Sequence, residues 1–183
     1  KEVKKNQSVA VFFSGVGLYP IILARHTLAS RVYAIEWNPA AKPFVEENIQ
    51  LNKVQKKVSV VMGDVSSVPV EERCDHVVMP APETALEYLP AALRWCKPRG
   101  LIHAYLFTES DPSLEQLHAY IAPFFPPKQK WRLAFARKVS QFSARKQQWC
   151  VGLRLQSSVA STRPRVLKKS KKPSHVVKKG MTK

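Results

Sequence analysis

The stretch VAVFFSGVGLYPIILARHTLASRVYAIEWNP, residues 9–39, decides the fold. Its short apolar run Val9–Phe13 is typical of a buried parallel strand, and Gly15 and Gly17 allow a tight turn directly after it. An apolar helix and a second strand follow, and that strand ends on Glu36, 21 residues after Gly15. An acid about 20 residues after a glycine turn is typical of a ribose-binding carboxylate in doubly wound folds. The stretch therefore predicts a nucleotide-like cofactor between the turn and Glu36.

The glycine turn also indicates which kind of cofactor fits. Its sequence, GVGLYP, has no third glycine where the dinucleotide pattern GxGxxG requires one. This argues against a pyrophosphate on the start of the helix, which the extra glycine accommodates. A nucleoside without phosphates fits better, and S-adenosylmethionine is the common cofactor of that kind.

Length and composition favour one domain with a tail. The chain has 183 residues, of which 45% are hydrophobic, enough for one good core. It has neither an apolar run of 18 residues nor the apolar stretch of a signal peptide, so we expect a cytoplasmic or mitochondrial protein that is not secreted. The three cysteines are an odd number without a CxxC pair, so we expect buried free thiols and no metal site.

The charge of the chain predicts a polyanionic partner. Thirty Lys and Arg face thirteen Asp and Glu, for a net charge of +17. Nine of the basic residues and no acid lie in residues 156–183, which we expect to be a basic disordered tail after a domain over residues 1–155. Contact with RNA is the favoured role of this tail, and a targeting or solvating role is the alternative.

The rest of the chain alternates predicted strands and helices. The first helix is expected to face the sheet with Leu18, Ile21, Ile22 and Leu28. After five strand-helix units the pattern changes to two consecutive strands, which indicates an antiparallel hairpin. The predicted strands are Val9–Phe13, Arg31–Ile35, Val58–Met62, Asp75–Met79, Leu101–Phe107, Trp131–Val139 and Gln147–Leu155, and the predicted helices are Gly17–Leu28, Pro39–Asn52, Glu83–Cys96 and Ser113–Phe124.

This order predicts an α/β fold with a Rossmann-like sheet of the class I methyltransferase type, mostly parallel with a C-terminal antiparallel hairpin. The motifs SGVGLYPIILAR, YAIEWNPAAKPFVEENIQLNKV, GDV, HVVMPAPETALEYLPAAL, GLIHAYLF and ARKVSQFSARKQQWCVGLRL occur in the chain in that order. In this order they resemble the archaeal and eukaryotic tRNA (guanine-N1)-methyltransferases, which modify the guanosine at tRNA position 37. The resemblance covers about Lys1 to Leu155, and Glu-x-Asn-Pro followed by Glu-Asn-x-x-Leu-Asn makes it specific.

The resemblance implies a set of cofactor contacts. Gly15 and Gly17 would admit the methionine part, and Glu36 would accept from both ribose hydroxyls. Trp37 would lie on an adenine face and Asp64 would accept from the adenine amino group. The structural alternatives are a core Trp37, a turn residue at Asp64 and a helix-dipole partner at Glu36. The full predicted set is Ser14, Gly15, Gly17, Glu36, Trp37, Asp64, Pro80 and Pro82.

Methylation of guanine N1 requires a general base and a donor to the carbonyl oxygen. The resemblance implies that these roles fall on a carboxylate and an arginine before the glycine turn, and the chain starts only a few residues before that turn, so we leave its activity open. Two departures from the family pattern, Val11 for an acid and Pro80-Ala81-Pro82 for Asn-x-Pro, remove polar groups near the ligand. Weak catalytic candidates, each with a structural alternative, are Glu83, His103 and Tyr105.

Basic residues and aromatic residues alternate along the predicted hairpin, which favours contact with single-stranded RNA. In the alternative, the aromatic residues Trp131, Phe135, Phe142 and Trp149 face the core and the charges are solvated. The predicted RNA-binding residues are Lys130, Arg132, Arg137, Lys138, Arg145 and Lys146 in the hairpin, and Lys168 and Lys169 in the tail.

Two functions follow from these observations. The first is an S-adenosylmethionine-dependent RNA methyltransferase, acting on tRNA guanine N1 at position 37, with this chain as its catalytic domain or a fragment of it. The second is a catalytically degenerate RNA-binding subunit of a ribonucleoprotein, such as an organellar ribosome or its assembly intermediate. Methylation of a protein or small molecule is a third reading that the positive charge disfavours.

Overall fold

The computed structural model describes residues 2–143 and 145–156. They form a seven-stranded sheet with helices on both faces. The strands are β1 Ser8–Val11, β2 Arg31–Glu36, β3 Val58–Met62, β4 Cys74–Met79, β5 Cys96–Thr108, β6 Trp131–Ser143 and β7 Lys146–Leu155. The α-helices are α1 Leu18–His26, α2 Lys42–Leu51, α3 Leu89–Trp95 and α4 Leu114–Ile121, and short 3₁₀ segments span Pro39–Ala41, Ala85–Tyr88 and Ala122–Phe124.

The sheet has the order β3-β2-β1-β4-β5-β7-β6. The first five strands pair in parallel, and β7 pairs antiparallel with both β5 and β6. The direction of the chain along the sheet reverses between β1 and β4, and ligands of open α/β sheets bind at such a switch point. The predicted α/β class, a mostly parallel Rossmann-like sheet with a C-terminal antiparallel hairpin, is confirmed.

Each face of the sheet carries its own core. On one face α3 and α4 pack against the central strands, and Phe12, Trp95 and Leu117 are almost completely buried there. On the other face α1 and α2 cover β1 to β3, with Val45 and Val32 fully buried. Continuous apolar strands such as Ser8–Val11 suit this arrangement, because both faces of a parallel sheet are covered.

The prediction for α1 is wrong in two respects. The helix ends at His26, and of the four apolar residues expected to face the sheet only Ile21 is buried. Leu18, Ile22 and Leu28 are 62%, 46% and 64% exposed. Sequence alone did not separate the two sides of this helix, because apolar residues occur on nearly all of them.

Prolines account for two further differences. The predicted helix Pro39–Asn52 is a 3₁₀ turn followed by α2, and Pro43 stands in the first turn of α2. The predicted helix Glu83–Cys96 is likewise divided, with Pro90 in the first turn of α3. Proline has no N–H group to donate, so it is tolerated in a first turn and disfavoured inside a continuous helix.

Two boundaries in the second half of the sheet also differ. Strand β5 starts at Cys96 rather than Leu101, with a register shift against β4 between Cys74 and His76. The hairpin strands β6 and β7 are longer than predicted, and they leave only two residues between Ser143 and Lys146. Residues 97–100 and 140–143, which lie between predicted elements, therefore belong to strands, because pairing with a neighbouring strand overrides local preference.

The cysteines, the potential metal ligands and the helices of the described residues can be compared with the expectations from composition. Cys74 and Cys96 are buried free thiols as predicted, whereas the free thiol of Cys150 is only half-buried. Among the described residues no group of three potential metal ligands occurs. None of the helices in this part of the chain has the length and apolar character needed to cross a bilayer. The predicted disordered tail lies outside the described residues beyond Gln156, and it stays a prediction.

Candidate functional site

The backbone turns sharply where β1 ends. The residue after Phe12, Phe13, has a φ of +53°, and Gly15 and Gly17 follow with φ of +53° and +93°. The Ser14 N–H donates to the Ile35 carbonyl at 3.0 Å, which fastens the bend to β2. Gly17 then stands at the N-terminal cap of α1. Three residues in the left-handed region within five positions make this a bend that few sequences adopt.

The carboxylate of Glu36 points at this bend. Its Oε2 accepts from the Gly15 N–H at 2.7 Å, and its Oε1 accepts from the Asn38 N–H at 2.8 Å. A carboxylate has about four acceptor positions, so each oxygen keeps one for a ligand. Two adjacent acceptors fixed in this way match the two neighbouring hydroxyls of a ribose. The side chain of Asn38 caps the following turn by accepting from the Ala40 N–H at 3.0 Å.

A cleft of about 330 Å³ opens beside the Glu36 carboxylate. Apolar and aromatic side chains form its walls, and two carboxylates supply its polar groups. This combination suits a purine nucleoside, which offers a flat apolar ring and a few hydrogen-bond donors. The lining residues are Phe13, Ile35, Glu36, Trp37, Asp64, Val65 and Tyr88.

Three of the predicted cofactor residues, Glu36, Trp37 and Asp64, meet in this cleft. Trp37 is 74% exposed, so the alternative that it belongs to the core is wrong. Asp64 does form a turn, because its Oδ1 accepts from the Ser66 N–H at 2.8 Å. Its second carboxylate oxygen and its place at the end of β3 keep it available to a ligand.

The other predicted cofactor residues lie around the cleft rather than in its lining. Gly15 is joined to it through Glu36, and the Ser14 hydroxyl is buried with no hydrogen-bond partner in the described part of the chain. Pro80 and Pro82 are half-buried directly after β4. The carboxyl ends of parallel strands share one edge of the sheet, so these prolines stand at the edge where Glu36 ends β2.

Sequence reasoning missed three lining residues, namely Phe13, Val65 and Tyr88. Phe13 and Val65 adjoin predicted residues, so their positions next to Ser14 and Asp64 were a usable signal. Tyr88 comes from the 3₁₀ segment after β4 and meets Phe13 edge to face, with ring centroids 4.9 Å apart. Only the fold brings these two rings together, since 75 positions separate them in the chain.

The structure places none of the three weak catalytic candidates in the cleft lining. His103 lies in the middle of β5, with its Nε2 3.0 Å from Nδ1 of His76. Burial, together with a smaller contribution from the neighbouring His76, lowers the pKa of His103 to about 3. Burial also raises the pKa of Tyr105, and Tyr19 stands beside it. Glu83 is exposed and pairs with Lys146 at 3.4 Å.

The aromatic residues of the hairpin were expected either to contact RNA or to face the core. Trp131 stacks against His118 and Phe125, with ring centroids 4.5 Å apart in each pair, and it packs partly buried against the core. Trp149 packs partly buried against the core, as the structural alternative requires. The Arg137 guanidinium lies 4.7 Å from the centre of the Phe135 ring.

Three of the six predicted cations of the hairpin pair with carboxylates in the described part of the chain. Arg137, Lys138 and Lys146 pair with Glu2, Asp111 and Glu83 at 3.2, 3.3 and 3.4 Å. Exposed pairs of this kind contribute little and exchange readily for other anions. The backbones of Lys130, Arg132 and Arg145 are described and all three residues are exposed. Lys168, Lys169 and the Phe142 side chain lie outside the described part of the structure.

Comparison with known proteins identifies a family model that matches residues 1–122 and is described as the TRM5/TYW2 methyltransferase domain. A curated relative, the tRNA (guanine(37)-N(1))-methyltransferase Trm5b of Pyrococcus abyssi, is 38% identical over 113 residues, which are 61% of this chain and 33% of the relative. The chain therefore spans about a third of the length of that relative.

Two solved structures have the same fold over most of this chain. Methanocaldococcus jannaschii Trm5 in complex with adenosine has a TM-score of 0.72 and 25% identity, with 85% of this chain and 46% of that chain covered. M. jannaschii TYW2 in complex with AdoMet has a TM-score of 0.71 and 25% identity, with 85% of this chain and 71% of that chain covered.

Proposed function

Because this chain belongs to the TRM5/TYW2 methyltransferase domain family, we propose that it is the cofactor-binding domain of an S-adenosylmethionine-dependent tRNA methyltransferase. Its substrate atom is guanine N1 at tRNA position 37, in line with the name of the P. abyssi relative. The relatives reported above carry no ribonucleoprotein role in their names, so the alternative of a degenerate ribosomal subunit receives no support from them.

The observation that carries this proposal is the placement of the Glu36 carboxylate. It is held by the Gly15 and Asn38 N–H groups at 2.7 and 2.8 Å, and it lines a cleft of nucleoside size. Two backbone donors keep the carboxylate in one orientation, so ordering it costs little when a ribose arrives. Asp64, on the same cleft, is the acceptor for the adenine amino group.

Each described residue has a defined task in this scheme. Glu36 binds the ribose hydroxyls, Asp64 the adenine amino group, and the aromatic rings of Phe13 and Tyr88 form a wall for the base. The bend at Gly15 leaves room for the methionine part, because no described residue other than its chain neighbours comes within 4 Å of a Cβ built on Gly15. The bound cofactor supplies an electrophilic methyl group on a positive sulfur.

The tRNA is the polyanion that the net charge of +17 predicts. We assign its backbone to the basic hairpin and the tail, because Lys and Arg that neutralise phosphates supply most of the affinity in such complexes. A cytoplasmic or mitochondrial location belongs to this proposal, since tRNA is found in both compartments.

Calorimetry on this chain tests the cofactor site directly. We expect saturable binding of S-adenosylmethionine to the unmodified chain. Glu36→Ala removes a charged carboxylate that accepts two hydrogen bonds from the ribose, so the affinity for the cofactor should fall at least about 30-fold. Glu46→Ala, which removes an exposed carboxylate on α2 paired with Lys42 at 3.8 Å, is the matched control and should bind normally.

Two outcomes would overturn the assignment. Absence of binding at millimolar cofactor in a chain that unfolds cooperatively would remove the enzymatic reading. Equal losses in Glu36→Ala and Glu46→Ala would show that binding does not depend on the carboxylate at the bend. Glu36→Gln, which keeps an acceptor for the Gly15 N–H, separates loss of the ligand contact from loss of the bend.

A further inference from the structure

Helix α1 is apolar on nearly all sides, although only one side is covered. Seven consecutive apolar residues, 18–24, begin it. Pro20, Ile21 and Ala24 are buried against the sheet. A helix with apolar residues all round is normally covered on every side. Leu18 and Ile22, on the outer side, are nevertheless 62% and 46% exposed.

Neighbouring residues extend this exposed surface into one patch. Val16 is 50% exposed directly before α1, and Phe44 and Leu51 on α2 are 56% and 70% exposed. Phe44 is four residues before Asn48 and Leu51 three residues after it, so both share the side of α2 that Asn48 presents to α1. The Asn48 side chain donates to the Val16 carbonyl at 2.9 Å, which joins the two helices at this point.

A groove of about 300 Å³ runs between α1 and α2 through this patch. Its polar boundary is basic, with Arg25 donating to the Asn52 side chain at 3.0 Å. No carboxylate is among the lining residues of the groove in the described structure. They are Val16, Leu18, Ile21, Ile22, Arg25, His26, Asn48 and Asn52.

We propose that this groove, together with Phe44 and Leu51, is a docking surface for an amphipathic helix of a protein partner, with apolar residues along one side and carboxylates flanking them. The apolar ridge of the partner fills the space between α1 and α2, and its carboxylates meet Arg25 and His26. Contiguous exposed apolar surface with a polar rim marks such interaction sites, and two neighbouring helices form a groove of the shape that an amphipathic helix fills.

The observations favour this occupant over two others. A second copy of the chain carries the same net charge of +17, and a two-fold contact through the groove would bring the Arg25 side chains of the two copies towards each other. A lipid surface is flat at this scale, whereas the apolar residues here border a concave groove. An acidic, helical protein segment matches both the charge and the shape.

The test uses two stapled helical peptides with leucines at i, i+3, i+4 and i+7, one with glutamates and one with lysines at its other positions. We expect the glutamate peptide to bind the chain and to shift the amide NMR signals of α1 and α2. Leu18→Glu should weaken this binding at least about tenfold, because it places a charge in the apolar groove. Arg25→Glu should weaken binding of the glutamate peptide about threefold and strengthen binding of the lysine peptide about threefold.

The matched control is Leu114→Glu on α4, since Leu114 is 61% exposed and lies outside the groove. It should leave binding unchanged, and thermal unfolding confirms that each variant folds. The proposal is overturned if the glutamate peptide does not bind at millimolar concentration, if both peptides bind equally, or if Leu18→Glu has no effect. Two further results would also overturn the proposal. Self-association in light scattering that Leu18→Glu abolishes would assign the surface to a second copy of the chain. Sedimentation with phosphatidylglycerol vesicles that Leu18→Glu abolishes would assign it to a membrane.

Discussion

Gly15 and Gly17 carry out different tasks within one bend. Both have a positive φ, +53° and +93°, which residues other than glycine adopt only with backbone strain. A Cβ on Gly17 would also lie 2.8 Å from Cγ2 of Val45, whereas a Cβ on Gly15 would have no contact within 4 Å to the described residues beyond its chain neighbours. Gly17 therefore serves the packing of α1 against α2, and Gly15 serves the open cleft.

This difference predicts unequal costs of two alanine substitutions. Gly17→Ala combines backbone strain with overpacking against Val45 and should lower the free energy of unfolding by about 2–4 kcal/mol. Gly15→Ala has only the backbone term and should cost about 1–2 kcal/mol. Urea unfolding of the two variants measures both values. Equal costs would contradict the assignment of a packing role to Gly17.

At the level of secondary-structure elements, the neighbouring strands β4 and β5 bring two histidines into contact. Nδ1 of His76 lies 3.0 Å from Nε2 of His103, and Nε2 of His76 lies 3.0 Å from Oε1 of Gln7. Gln7 Oε1 can only accept, so His76 donates from Nε2 and accepts from His103 at Nδ1. In this arrangement His76 is neutral, and its protonation would remove the Nδ1 acceptor of the hydrogen bond from His103.

We expect this pair to make the fold sensitive to acid. Burial lowers the pKa of His76 to about 4 and that of His103 to about 3, from 6.5. Arg154 contributes to both of these shifts, while Asp75 opposes the shift at His76. The unfolded chain binds protons below about pH 6.5 and the folded chain does not, so stability is complete above that pH and falls as the pH approaches 4.

Urea unfolding at several pH values measures this effect. Between pH 6.5 and 5 the loss should be on the order of 2 kcal/mol. His103→Gln should flatten this dependence, whatever its effect at pH 7.5, and His118→Gln, at an exposed position on α4, should leave the dependence unchanged. An unaltered slope in His103→Gln would show that other groups govern the acid response.

The charge of the whole molecule is uneven. Residues 156–183 hold nine basic residues and no acid, about half of the net charge of +17. Several cations of the hairpin already pair with carboxylates, as Arg137 does with Glu2 at 3.2 Å. The tail therefore offers more basic residues without an acid nearby in the sequence than the hairpin does. We expect most phosphate contacts of a bound RNA to come from the tail.

Deletion of residues 156–183 should consequently flatten the salt dependence of tRNA binding. Each phosphate that a lysine or arginine neutralises adds about 0.7–0.9 to the slope of log K against log salt. Filter binding of a tRNA transcript over a series of salt concentrations gives the slope. A chain in which the nine basic residues of the tail are replaced by glutamine is the control for length. An unchanged slope in both chains would exclude a role for the tail in binding phosphates.

Local patterns were sufficient to predict several parts of the fold and site. Strand Val58–Met62 is confirmed with its predicted bounds, and the predicted helix start at Pro39 coincides with the start of the 3₁₀ segment Pro39–Ala41. The pairing of a glycine turn with Glu36 was predictable because both follow strands that end at the same edge of the sheet. The division of the predicted helices Pro39–Asn52 and Glu83–Cys96 close to Pro43 and Pro90 was not predicted, although the proline rule was available.

The amino-acid sequence by itself determined the α/β class, the order of the elements and the acid that faces the bend, since strand alternation, glycine turns and strand ends are local properties of the chain. Only the tertiary structure decided which side of α1 is covered, that Tyr88 joins Phe13 beside the cleft, and that His76 meets His103. These three features depend on which distant segments come into contact, and an apolar residue carries no mark in the sequence of whether a neighbour will cover it.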